Sequence, residues 1–187
     1  MRWIAALAAL ALVAGCSPTP AKEDAAAKKD ATAKKGLMAV ARVGPKNGST
    51  VRGFISFTQT GDKVAVAGEF FELFPGAHSL YIHEGASCGS PNAASAGPVW
   101  NVPGNTDARR TGALPEIFAG TEGRAGVSAS LRTISVGTGR PDDVIGHSVV
   151  IHSDVDPDPK AEFGVRNGWI ACGVIERSEG VDLQKLL

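Results

Sequence analysis

A hydrophobic period of two residues constrains this chain more than any other feature. In "VRGFISFTQ" Val51, Ile55 and Phe57 fall on one face and Arg52, Ser56 and Thr58 on the other, as a strand buried on one side requires. "TGDK" supplies a turn, and "VAVAGEF" returns with Val64 and Val66 on one side. "RAGVSASL" repeats the pattern, with Ala125, Val127, Ala129 and Leu131 against Arg124, Ser128 and Ser130. With 23 glycines and 11 prolines as punctuation, six to eight such strands point to an all-β antiparallel sandwich or Greek-key barrel. The segment from Gly85 to Leu114 lacks this period. A loop that long is functional, disordered or tied down.

The folded part is expected to run from about Leu37 to Arg177, in a domain assigned to residues 37–187. Before it, Met1-Arg2 and "WIAALAALALVAG" form a basic start and an apolar run too short to span a bilayer. Residues 1–15 therefore read as a signal peptide. "LVAGC" resembles the lipobox of bacterial lipoproteins, which implies acylation of Cys16 and anchorage to the cell envelope. Ser17 after that cysteine suggests, by the same resemblance, the outer membrane facing the periplasm. The alternative is a plain secretory signal followed by a coincidental cysteine. Residues 16–36, rich in alanine and lysine, read as a tether with no apolar stripe to dock. Lysine plus arginine equals aspartate plus glutamate at 19 each, so charge gives no reason to expect a nucleic-acid partner.

If Cys16 is acylated, two of the three cysteines remain, Cys88 and Cys172. In an exported, oxidising setting they can pair in one way; two buried thiols are the alternative. All four histidines, His78, His83, His147 and His152, lie in or beside expected strands. Alternation puts Tyr81 and His83 on one face and His78 on the other, and the same parity separates His147 from His152. Without a bulge, a single metal could take one histidine from each strand. A lone strand histidine is more often structural than a ligand.

"FPGAHSLYIHEGASC", "AGPVWNVPG", "IGHSVVIHS" and "WIACGVIER" resemble, in order and spacing, the successive motifs of the copper/zinc superoxide dismutases, above all the bacterial periplasmic type. The resemblance covers roughly Val51 to Arg177. It implies an eight-stranded antiparallel Greek-key barrel in which a disulfide, here Cys88 with Cys172, fastens a long loop to the last strand. It also implies a damaged metal centre. Of the four copper-ligand positions, His83 and His152 match, Tyr81 replaces one histidine, and Val99 replaces the histidine that bridges copper and zinc. His78 matches a structural histidine. Ala113 stands where a zinc aspartate is expected, and no histidine lies between His83 and His147, so zinc binding in the family manner is not expected. Trp169 replaces the channel arginine, with Arg166 nearby as a substitute.

These losses imply a superoxide dismutase-like envelope lipoprotein with degenerate or absent activity. Two alternatives keep copper at His83, His152 and Tyr81. One is a copper-only dismutase acting on superoxide, and the other a periplasmic copper-holding protein without turnover.

Overall fold

The computed structural model describes residues 37–107, 109–153 and 168–178. The expected signal peptide, Cys16, the tether and Arg166 lie outside the described residues. Among the described residues nine strands appear: β1 (Met38–Pro45), β2 (Arg52–Thr60), β3 (Lys63–Phe71), β4 (Gly76–His78), β5 (Leu80–His83), β6 (Ile117–Ala119), β7 (Ala125–Leu131), β8 (Ser148–His152) and β9 (Trp169–Arg177). All their pairings are antiparallel. One sheet has the order β5-β8-β9-β1-β2-β3-β7, and β4 pairs with β6.

β4 and β5 are one strand interrupted at Ser79, whose carbonyl accepts the amide of His152 at 2.9 Å. Counted so, the strands number eight, as expected. β6 leads into β7 through a tight turn in which Gly123 donates to the carbonyl of Gly120 at 2.9 Å. The two ribbons thus meet at both ends, and the sheet has few free edges to manage. β3 is followed by β4 and β5, which pair with β6 and β8, and β8 returns between β5 and β9. Such returns to distant strands are the Greek-key arrangement.

The interior is filled by large side chains from alternating positions, including Phe57, Phe70, Ile55, Ile82, Ile151 and Ile175. β3 keeps a strict alternation, with Val64, Val66 and Phe70 buried between exposed residues. β2 departs from it. Ser56, expected on the outer face, is buried between Ile55 and Phe57, and its hydroxyl donates to the carbonyl of Ala67 at 3.0 Å. That hydrogen bond removes the penalty of burying a polar group.

β8 is buried at every residue, which a period of two does not anticipate. Val149 and Ile151 belong to the main core, whereas Val150 joins Ala93, Ala96 and Cys172 in a second cluster. The outer face of β8 is therefore roofed by the aperiodic loop, which includes a short 3-10 turn at Ala94–Ala96. A disulfide joins Cys88 of this loop to Cys172 of β9, with the Cα atoms 5.7 Å apart. Two further attachments hold the roof: Asn47 donates its amide to the carbonyl of Pro91 at 2.9 Å, and Lys46 donates to that of Cys88.

Candidate metal centre

The roofed side of β5 and β8 carries the two matched histidines. His83 is fully buried and His152 nearly so. Regular pairing of β5 with β8, Tyr81 opposite Val150 and His83 opposite Ser148, puts His152 on the face of His83, and the two imidazoles converge with their Nε2 atoms 3.2 Å apart. Nδ1 of His83 donates to the carbonyl of Gly97 at 2.7 Å, which fixes the tautomer and leaves Nε2 its lone pair. His152 Nε2–H then donates to His83 Nε2. Nδ1 of His152 is buried with no hydrogen-bond partner.

Both rings are held neutral. Burial pushes the pKa of His83 below the usual imidazole value, against the opposing effect of its bond to Gly97. Burial first, then the neighbouring His83, lowers His152 to about 3. A neutral imidazole is the form that binds a metal.

The positions where replacements are expected lie against this pair or against Tyr81 beside it. Val99 forms an isolated bridge with His83, and Ala113 forms one with Tyr81. Trp169 pairs with His152 across the β8–β9 ladder, and its indole meets the imidazole of His83 edge-on at 4.6 Å between centroids and that of His152 at 5.6 Å. Tyr81 stands edge-on to His152 at 4.9 Å. The corner therefore holds two imidazoles, a phenol and an indole, with Val99 and Ala113 on the bridged segments beside them.

The other histidines are elsewhere. His78 precedes the break at Ser79, and its ring faces the carbonyls of His152 at 3.2 Å and Phe74 at 2.8 Å, tying β4 to the end of β8. His147 precedes β8, stacks on Trp100 at 4.3 Å and bonds the carbonyl of Glu84 at 3.0 Å. Among the described residues no cluster of three or more His, Cys, Asp or Glu side chains is placed to hold an ion.

A cleft of about 660 Å³ opens beside the pair, bounded by Tyr81, Val99, Ala113 and His152, and by Arg109 and Arg110. These two arginines belong to no motif or strand pattern of the sequence. They are the one source of positive charge between His83 and Leu114, a signal that was available.

A model of the family described as copper/zinc superoxide dismutase (SODC) matches residues 51–175. The chain belongs to the copper/zinc superoxide dismutase family. It is 33% identical over 135 residues to a superoxide dismutase [Cu-Zn] of Caulobacter vibrioides, covering 66% of this chain and 78% of that protein. It is 32% identical over 155 residues to the superoxide dismutase [Cu-Zn] of Onchocerca volvulus, covering 74% and 96%. An extracellular superoxide dismutase [Cu-Zn] of Brugia pahangi is 30% identical over 152 residues, covering 73% and 74%. Among solved structures, the crystal structure of the clock protein EA4 superposes with a TM-score of 0.62 at 27% identity, covering 76% of this chain and 95% of that one. The disulfide and the barrel are thus those of the dismutase family.

For copper, the donor set fits in part. Two nitrogens 3.2 Å apart suit one ion at ordinary metal–nitrogen distances of about 2 Å. For zinc, the described residues present no second group of donors.

Proposed function

We propose that this chain is a lipid-anchored, superoxide dismutase-like protein of the bacterial cell envelope, without a zinc site and with degenerate or absent dismutase activity. The observation that carries the reading is the register of the replacements. Val99 sits opposite His83, Ala113 opposite Tyr81 and Trp169 opposite His152, so two of the three positions adjoin the remaining imidazoles and the third adjoins the tyrosine beside them. None of those three side chains is a metal donor. Replacing the channel arginine by an indole removes a fixed positive charge that would draw in a small anion. Acylation of Cys16, the membrane anchor and the periplasmic location rest on the lipobox-like segment.

A second reading, a copper-only dismutase or copper-holding site, is favoured by the convergence of the two Nε2 atoms and the carbonyl that orients His83. In that reading His83 and His152 hold copper, with Tyr81 as a third donor once the metal displaces its proton. Copper would supply one-electron exchange with superoxide. The chain's own part is to keep both imidazoles neutral and to exclude water beneath the loop.

Copper uptake by the metal-free chain, followed by superoxide decay with the loaded form and with His152→Ala, separates these readings. The proposal expects weak or absent uptake and decay no faster than with His152→Ala. One tightly held copper with His152-dependent dismutation at rates typical of the named relatives would refute it.

A further inference from the structure

The cleft beside the histidine pair has no use in the reading above. We infer that it is a binding site for a small organic carboxylate with an apolar body, seated where the replacement of metal donors by Val99 and Ala113 leaves room. This rests on the proposed absence of a zinc site.

Three features carry the inference. At about 660 Å³, the cleft lies in the range of small-molecule sites, which are apolar with a few placed polar groups. Its apolar wall is supplied by Leu80, Val99, Ala113 and Leu114. Arg109 and Arg110 both line it, and a planar guanidinium presents paired donors that match a carboxylate.

The segment bearing these arginines is pinned in place. Oδ1 of Asn101 accepts from the amide of Thr111 at 3.0 Å and from Nδ2 of Asn105 at 2.9 Å. Nδ2 of Asn105 also donates to the carbonyl of Arg109 at 3.2 Å, and Arg110 Nη1 reaches the carbonyl of Val99 at 3.4 Å. Neither guanidinium is within ion-pair distance of a described carboxylate. Fixing the backbone that carries the binding groups before the ligand arrives lowers part of the ordering cost of association. Glu116 lines the same cleft, so the two arginines leave a net positive lining that one carboxylate would balance. His152 also lines the cleft.

Tyr81 is the chain's one tyrosine and lines the cleft, so ring-labelled tyrosine gives a single NMR reporter. The test titrates benzoate into the full chain in a non-ionic detergent with a chelator present. Benzamide is the neutral comparison and inorganic phosphate the comparison lacking an apolar body. Saturable displacement of the Tyr81 resonances by benzoate is expected, with benzamide and phosphate at least about tenfold weaker. Arg109→Gln/Arg110→Gln, a change at exposed positions, is expected to weaken benzoate by about tenfold or more while the amide spectrum stays native. No saturable shift up to the solubility limit, equal response to benzamide or phosphate, or an unchanged affinity in the double variant would each overturn the site. Copper uptake by the same preparation tests the proposed function separately, since benzoate binding and copper binding can each fail without the other.

Discussion

The disulfide between Cys88 and Cys172 is the strongest single constraint on the unfolded chain. It spans a sequence separation of 84. In the chain-entropy description, closing a loop of that size lowers the entropy of the unfolded state enough to stabilise the fold by about 4–5 kcal/mol at 25 °C. The native loop does not depend on the disulfide alone, because Asn47, Lys46 and the 3-10 turn also hold it. Cys88→Ala/Cys172→Ala should therefore act mainly through the unfolded chain, with a smaller loss from the second cluster, where Cys172 packs on Val150 and Ala96. Urea unfolding at neutral pH is the assay. With a slope of about 2 kcal/mol per molar, the midpoint should fall by about 2 M, and the slope itself should rise because the unlinked chain exposes more surface. Reduction of the wild-type protein should reproduce the shift. A midpoint change corresponding to less than about 1 kcal/mol, with an unchanged slope, would refute this account.

Three further outcomes follow from the structure. His152 has a folded pKa of about 3 against an unfolded value of about 6.5, so its stabilisation is complete above pH 6.5 and declines as the pH falls toward 3. Metal-free wild type should lose about 2 kcal/mol more than His152→Phe between pH 7.5 and pH 5, measured by urea unfolding at the two pH values; equal losses would contradict the assignment. Gly112→Ala should destabilise by about 1–3 kcal/mol, because the added Cβ would lie 2.3 Å from the carbonyl oxygen of Ile82, where Ile82, Trp100 and Gly112 exchange backbone hydrogen bonds; thermal unfolding at wild-type temperature would show the contact to be relieved. Phe57→Ala, at a fully buried site, should cost about 3–5 kcal/mol by the same denaturation assay, and a loss under 1 kcal/mol would mean that the core closes over the gap.

The sequence by itself determined the strand pattern, because a face buried against one core writes a period of two into β2, β3 and β7. The cysteine pair is legible from the sequence and is joined in the fold, and the motif resemblance implies replacements at Tyr81, Val99, Ala113 and Trp169, since residue identity is all that such a comparison needs. The tertiary structure alone decided what lies against what. The full burial of β8 follows from a loop roofing its outer face, a long-range contact that no local period encodes. Interruption at Ser79 is a backbone irregularity invisible to counting, and the 3.2 Å between the Nε2 atoms of His83 and His152 is a side-chain convergence that a shared face permits without fixing. Arg109 and Arg110 acquire a role only when the pinned loop sets them beside the space left by Val99 and Ala113. A charge pair in a sequence has no direction until the fold gives it a cavity to face.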